Sequence, residues 1–185
     1  MIDNNITISI DAMGGDNAPN EIVKGAVNSV NKNNELSILL VGDESQIKNA
    51  LSMLGPSALE FIESNRITVV PSDGMIKDGE QPVIGLKKKP KSSIAISSFL
   101  VKNKKADGLL SMGSTGATMA ASALTLGMIN GIERPTVGGS IIGSSPNTVI
   151  LDIGANVDCK PSQLVTFAVL GSIYSKYTFE IDSPR

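Results

Sequence analysis

The sequence has 185 residues, of which 41% are hydrophobic and 18% are charged, and its net charge is -2, so it is long and apolar enough for one domain with a sizeable core. The near-neutral charge and the 3% aromatic content argue against a nucleic-acid-binding protein, which needs a basic surface and stacking rings. Histidine is absent and Cys159 is the single cysteine, which excludes Ser-His-Asp and Cys-His nucleophiles and multi-cysteine zinc sites. Catalysis would therefore use carboxylates, Lys, hydroxyls, amides and backbone dipoles.

Predicted strands and helices alternate along the whole chain. Apolar runs predict strands over 6–11, 36–41, 67–70, 107–111, 136–142 and 148–151. Helical patterns begin near Pro19 and after Asp43, and then cover 92–105, 115–130 and 161–177. A glycine-bearing stretch over 71–90 is predicted to be an irregular loop, long enough to be functional. This order predicts a Rossmann-like, three-layer α/β/α fold with a mostly parallel sheet.

Helix boundaries and targeting signals can also be inferred. Asp43 is expected to cap the second helix with Gln46 as its partner, and Gly55-Pro56 is expected to end that helix. The first five residues lack the basic region of a signal peptide. The apolar run over 117–129 is too short and too polar to span a bilayer, so we expect a buried helix. We also expect a cytoplasmic location.

Small, turn-forming residues follow three predicted strands, and in an open α/β sheet ligands bind beyond the carboxyl ends of the strands. The first exit contains Gly14-Gly15 between Asp11 and Asp16. It lacks the spacing of a dinucleotide fingerprint and no phosphate-binding Gly-rich loop of the NTPase type is present, which disfavours nicotinamide and NTPase chemistry. The turn could bind an anion through its backbone amides, or it could be a tight turn that needs glycine.

The second exit, Gly113-Ser114-Thr115-Gly116, lies between a strand and a helix. Free amides, hydroxyls and the positive end of the helix dipole coincide there, which suits phosphate. The alternative is ordinary N-capping by one of the hydroxyls.

The third exit carries Asp152, Asn156 and Asp158. Two carboxylates and an amide are too few ligands for a divalent metal, but Asp152 could orient a lysine or hydroxyl and Asn156 could donate to an oxyanion. Cys159 beside them lacks a base, so a small packing residue is expected.

The basic run Lys87-Lys88-Lys89-Pro90-Lys91 comes before Ser92-Ser93 at the end of the long loop. It could hold phosphate or an acidic partner at the start of a helix, or it could be a solvated face.

Together these segments resemble the phosphate acyltransferase family of bacterial phospholipid synthesis. The matching stretches occur in family order and cover nearly the whole chain: 10–19, 87–93, 111–117, 131–135 and 151–158. Family members are considerably longer, so we expect residues 1–185 to be the N-terminal part of one domain whose remaining strands are absent.

The resemblance implies transfer of a long-chain acyl group from acyl carrier protein to inorganic phosphate, without a cofactor or metal. It implies a homodimer when full length, peripheral association with the inner face of the membrane, and a membrane glycerol-3-phosphate acyltransferase downstream. Lys87 and Lys89 would hold phosphate or thioester with Ser92 and Ser93 nearby, while Asp11 and Asp152 would position cationic groups. The alternatives are a short-chain acyl-CoA phosphate acyltransferase and a non-catalytic anion-binding fragment.

The resemblance makes Lys89, Asn156, Asp152 and Asp11 the candidate catalytic residues and assigns the others to binding the substrate. Gly113, Ser114, Thr115 and Gly116 would cradle the anion, with Gly14, Gly15 and Asp16 on the neighbouring turn. Asn156 would donate to the carbonyl or the oxyanion. We also expect the 185-residue chain alone to self-associate and to have little transacylase activity.

Overall fold

The computed structural model describes residues 5–185. Residues 1–4, on which most of the signal-peptide argument depends, lie outside this range. The chain forms two compact units that divide after Gly127.

The first unit is built on a four-stranded parallel sheet. Its strands are β1 (Ile6–Asp11), β2 (Leu36–Gly42), β3 (Ile67–Pro71) and β4 (Gly108–Ser111), in the order β3-β2-β1-β4. Asp11 is in register with Val41 of β2 and with Ser111 of β4. Because β1 lies between strands that are reached in opposite directions along the chain, the strand order reverses beside it, and ligand crevices form at such a switch point.

Six helices surround this sheet. They are α1 (Asn20–Lys32), α2 (Glu44–Met53), α3 (Pro56–Glu63), α4 (Pro82–Lys88), α5 (Ser93–Lys102) and α6 (Thr115–Leu126). One hydrophobic cluster joins β1, β2 and β3 to the first three helices, and a second joins β4 to the last three. Right-handed crossovers in opposite directions place these helix groups on opposite faces of the sheet. The predicted three-layer α/β/α fold is therefore confirmed.

The second unit has little regular structure besides one long helix. The strands β5 (Gly138–Gly139) and β6 (Ile150–Leu151) pair antiparallel in a sheet of their own, and α7 covers Pro161–Phe179. The sequence prediction of strands over 136–142 and 148–151 was wrong in length. Only two residues of each form a ladder, because Gly and polar residues dominate the segment between them.

Three helix predictions need correction. The stretch over 71–90 contains α4, which starts at Pro82 in the first turn. Pro56 ends one helix as expected but begins α3. The helix after β4 ends at Leu126 and not at residue 130, because Gly127 adopts a positive φ of 87°.

Two further expectations have clear outcomes. The Asp43 carboxylate caps α2 by accepting the Gln46 N–H at 2.9 Å, as the capping pattern predicts. Helix α6 is buried only along Ala117 and Ala121, while Leu124 and Leu126 are exposed, so the expectation of a buried helix was wrong. None of the helices within residues 5–185 has the length and apolar content needed to cross a bilayer.

Candidate functional site

The carboxyl ends of β1 and β4 are joined by a hydrogen-bond relay. The Ser111 hydroxyl donates to Asp11 Oδ2 at 2.8 Å and accepts the Gly113 N–H at 3.1 Å. The other carboxylate oxygen, Asp11 Oδ1, accepts the Met13 N–H at 3.2 Å. Asp11 is only 4% exposed, so these bonds satisfy a carboxylate that has little access to water. The relay fixes the two strand exits relative to each other.

Glycine is required at this junction by close contact. A Cβ at Gly14 would lie 2.7 Å from Asp11 Oδ2, 2.8 Å from the Gly113 nitrogen and 2.9 Å from Ser111 Oγ. The next residue, Gly15, adopts a φ of 106°, which side-chain-bearing residues rarely adopt. The glycine pair therefore has two separate causes: close approach at the first position and backbone conformation at the second. Asp16, which follows them, is exposed.

The turn after β4 presents unpaired amides at a helix start. Ser114 is the N-cap of α6, and its hydroxyl accepts the Ala117 N–H at 3.4 Å, which confirms the capping alternative. Within residues 5–185, the N–H groups of Ser114, Thr115 and Gly116 have no hydrogen-bond acceptor. Thr115 is exposed and Gly116 is half-buried. Capping by the hydroxyl therefore leaves three amides at the positive end of the helix for an anion.

The basic segment lies on the helices beside this turn. The pyrrolidine ring of Pro82, at the start of α4, would lie 3.1 Å from a Cβ at Gly116. Lys87 is exposed in the last turn of the same helix. Lys89 is different, because its Nζ contacts the Glu80 carboxylate at 2.7 and 3.0 Å and the Met75 carbonyl at 3.0 Å.

The ion pair of Lys89 has an electrostatic consequence. The hydrogen bond from Lys89, followed by one from the Lys77 N–H, holds the pKa of the Glu80 carboxyl below its usual value. Both partners of the pair are about one third exposed, at 35% and 30%. Lys89 therefore holds the loop before α4 against the end of that helix, whereas the exposed Lys87 has no ion-pair partner within the part of the chain that the structure describes.

A shallow cavity of about 440 Å³ lies beside the basic segment. It is lined by Asp73, Gly74, Lys88, Lys89, Pro90 and Lys91. The segment directly after β3 forms one side of this cavity. It is joined to the basic segment by a hydrogen bond, which the Asp73 N–H donates to the Lys91 carbonyl at 2.8 Å. The hydroxyls of Ser92 and Ser93, at the start of α5, are fully buried and have no partner within the described residues.

The second unit contains the third predicted strand exit. Asp152, with a positive φ of 61°, accepts the Asn156 backbone N–H at 3.1 Å and its side-chain amide at 2.9 Å through the same Oδ1 atom. The Asn156 amide also donates to the Pro135 carbonyl at 3.2 Å. Both side-chain amide hydrogens of Asn156 are thus used. An oxyanion could accept a hydrogen bond from this amide only if it replaced the Asp152 carboxylate or the Pro135 carbonyl as the acceptor.

Cys159 completes this loop. Its Sγ lies 3.4 Å from Asp152 Oδ2, and burial, followed by the hydrogen bond to Asp152, raises the pKa of the Cys159 thiol. A raised pKa disfavours the nucleophilic thiolate. The structure therefore agrees with a packing residue here. The described residues contain no group of three or more Cys, Asp or Glu side chains placed to hold a metal ion.

The structure brings together the first two predicted exits. The predicted site residues that lie together at the carboxyl ends of β1 and β4 are Asp11, Gly14, Gly15, Gly113, Ser114, Thr115 and Gly116. Lys87, Lys89, Ser92 and Ser93 lie on the neighbouring helices of the same unit, whereas Asp152 and Asn156 belong to the second unit. No Lys or Arg of the described residues pairs with Asp11 or Asp152.

Sequence reasoning missed the role of Ser111. It stands at the last position of β4, and its hydroxyl is the link between the two exits. The alignment of Ser111 with Asp11 across the sheet depends on strand order and register, which a single sequence does not contain. A small hydroxyl residue directly before a glycine turn was the only available signal.

Comparisons with known proteins agree with the resemblance. The family model described as fatty acid synthesis protein matches residues 6–185. The chain belongs to this family. A curated phosphate acyltransferase of a Cyanothece species is 43% identical over 180 residues, which are 96% of this chain and 50% of that protein. That of Syntrophomonas wolfei is 43% identical over 183 residues, or 96% of this chain and 54% of the relative.

The match to the family covers both units and every candidate site residue. A third relative, the phosphate acyltransferase of Crocosphaera subtropica, is 41% identical over 187 residues, covering 100% of this chain and 51% of the relative. The chain therefore spans about half the length of the curated relatives that it matches. In this family member, the junction of β1 and β4 is the best-defined candidate site.

Proposed function

We propose that this chain supplies the phosphate-binding part of an acyltransferase that moves a long-chain acyl group from acyl carrier protein to inorganic phosphate. The observation that carries the proposal is the group of three amides at Ser114, Thr115 and Gly116 that find no acceptor among residues 5–185, at the start of a helix on a sheet switch point. The relatives named phosphate acyltransferase support phosphate as the ligand.

The reaction requires no redox step. A phosphate oxygen attacks the thioester carbonyl carbon, and a C–O bond forms while the carbonyl oxygen becomes an oxyanion. When the oxyanion collapses, the C–S bond breaks and the thiolate leaves with the electron pair, to be protonated by solvent. The products are acyl phosphate and the free thiol. A protein accelerates this step by holding the dianion beside the carbonyl and by stabilising the oxyanion.

The proposed residues have two roles: some hold the phosphate, and others attract the anionic substrate to the site. The amides of the turn after β4 bind the phosphate, with the α6 dipole behind them. Gly14 and Gly15 allow the neighbouring turn to approach, and Asp11 fixes that turn through backbone and hydroxyl contacts. Lys87 attracts the anionic substrate from an exposed position.

Three further assignments complete the proposal. Lys89 is engaged with Glu80 in the structure and contributes positive charge from that position. Asn156, held by Asp152, is the candidate donor to the carbonyl oxygen. Asp16, Ser92 and Ser93 are weaker candidates for contact with the substrate.

The cellular setting is part of the proposal. Acyl phosphate is a reactive mixed anhydride, so an acyltransferase that uses glycerol 3-phosphate at the membrane is the expected consumer. A homodimer that associates peripherally with the inner face of the membrane would deliver the product there. Residues 1–185 would form the N-terminal part of one such domain.

Transfer of labelled phosphate tests the function. A chimaera of residues 6–185 with the remaining part of the Cyanothece relative is incubated with radioactive inorganic phosphate and a palmitoyl thioester. Organic-soluble label that depends on acyl carrier protein as the thiol carrier is the expected result. Equal or greater transfer from short-chain acyl-CoA would favour that alternative, and absence of label with either donor, while the relative itself is active, would reject the proposal.

The 185-residue chain is tested in parallel. Binding of inorganic phosphate without transfer would support the anion-binding alternative for this polypeptide alone. Transfer at the rate of the chimaera would show that the chain is sufficient.

A further inference from the structure

The Ser111 hydroxyl has both of its hydrogen-bonding roles occupied. It has one proton, which it donates to Asp11 Oδ2 at 2.8 Å, and it accepts the Gly113 N–H at 3.1 Å. The direction of the relay is therefore fixed, from the Gly113 N–H through the hydroxyl to the carboxylate. Ser111 is half-buried, so water competes only weakly for these bonds.

The same hydroxyl decides which amides of the turn remain free. It binds the Gly113 N–H, whereas the N–H groups of the next three residues find no acceptor among the described residues. Gly14 lies close to Gly113 on the other side, since a Cβ at Gly113 would lie 3.1 Å from Gly14 Cα. The first residue of the turn is thus clamped, and the free amides start directly after the clamp.

We propose that Ser111 is a positioning residue that orients the amides of Ser114, Thr115 and Gly116 toward an inorganic phosphate ion. This inference rests on the proposed function for the identity of the anion. Ser111 does not touch the anion itself. It acts through Gly113, and its own hydroxyl is held by Asp11. The position of the turn after β4 is therefore fixed relative to the neighbouring strand β1.

Preorganisation explains why such a clamp matters. A flexible glycine turn must be ordered when an anion binds, and that entropic cost reduces affinity. A turn whose first amide is already fixed avoids part of the cost. Removing the hydroxyl leaves the half-buried Gly113 N–H and one oxygen of the buried Asp11 carboxylate without partners, and the turn can then rotate to find other acceptors.

Titration of the ¹⁵N-labelled chain with inorganic phosphate at constant ionic strength tests the inference. We expect phosphate to shift the amide resonances of Ser114, Thr115 and Gly116. Ser111→Ala should weaken this binding about ten-fold, as expected for loss of one well-formed hydrogen bond. Ser111→Thr, which keeps the hydroxyl, should bind within about three-fold of the native chain, and Ser111→Cys, with its weak S–H donor, should be intermediate.

A matched control removes a hydroxyl elsewhere. Ser52 in α2 is exposed and donates to the Lys48 carbonyl at 2.9 Å, so Ser52→Ala should bind phosphate as the native chain does. If Ser111→Ala fails to fold, the order of Ser, Thr and Cys variants still decides the matter. Equal affinity in all Ser111 variants, or resonances of the turn that do not respond to phosphate, would overturn the inference.

Transfer of labelled phosphate by the chimaera separates this failure from failure of the proposed function. If the native chimaera transfers labelled phosphate but Ser111→Ala binds phosphate as tightly as the native chain, only the role of Ser111 is rejected. Absence of activity in the native chimaera would reject the function.

Discussion

Replacing Asp11 by Asn tests the relay at the strand exits with an almost isosteric change. The native carboxylate accepts two hydrogen bonds, one from the Met13 N–H and one from the Ser111 hydroxyl. An amide has one acceptor oxygen and one donor NH₂ group, so in either orientation one of the two native donors, the Met13 N–H or the Ser111 O–H, loses its acceptor. Because residue 11 is 4% exposed, water cannot readily relieve the conflict.

The expected loss of folding free energy in Asp11→Asn equals the cost of leaving a buried hydrogen-bond donor without an acceptor. That cost is about 1–3 kcal/mol, and with a urea slope of roughly 2 kcal/mol per M it lowers the midpoint of unfolding by about 0.5–1.5 M. Unfolding should be followed by NMR resonances of β1, since the two compact units need not unfold together. The double variant with Ser111→Ala should lose less than the sum of the single losses, because the opposing hydroxyl is gone.

Asp107→Asn is the matched control. Asp107 is exposed, and its side chain accepts only the Thr7 N–H, at 2.8 Å, within the described residues. One acceptor is retained by Asn, so this variant should unfold close to the native midpoint. Equal stability of Asp11→Asn and the native chain would refute the relay as described.

Three other changes have defined outcomes. Lys87→Ala should raise the phosphate requirement of the chimaera about three-fold at low salt, and the difference should shrink as added salt screens the lysine; a salt-independent difference would count against steering. The pKa of Glu80 is lower in the folded state, so the stability of the native chain relative to Glu80→Gln should be present at neutral pH and lost as the pH falls below about 4.3; a gap that persists in acid would contradict the ion pair. Val169 and Ile173 of α7 are 52% and 49% exposed, so Val169→Glu should reduce concentration-dependent self-association in sedimentation, and a native chain that stays monomeric would contradict this.

The sequence allowed prediction of the first unit and of the long helix α7, but not of the short strands of the second unit. Strands β1 to β4 are short segments rich in Ile, Val and Leu and bounded by turn residues, and buried parallel strands have this composition. The region over 136–151 has short apolar groups that resemble strands, but glycine and polar residues leave only two paired residues on each side. Helix α4 was missed because its seven residues begin at a proline within a glycine-bearing stretch.

The site was predictable in its parts but not in its connections. Glycine and hydroxyl residues after strands marked the turns at Gly14 and Ser114, because such residues serve few other roles there. The sequence could not show that Lys89 pairs with Glu80 or that both amide hydrogens of Asn156 are used. These contacts depend on loop conformations that local patterns do not determine.

The measurement that tests the central claim most directly compares two glycine substitutions in the labelled-phosphate transfer assay. Gly14→Ala places a methyl group less than 3 Å from Asp11, Ser111 and Gly113, whereas a Cβ at Gly25 in α1 meets nothing within 4 Å. If acyl transfer takes place where β1 and β4 end, Gly14→Ala in the chimaera should lose at least about a hundred-fold in rate, as misplacement by about 1 Å can cause, and Gly25→Ala should retain full activity. Equal activity of the two variants would contradict the assignment of the reaction to this junction.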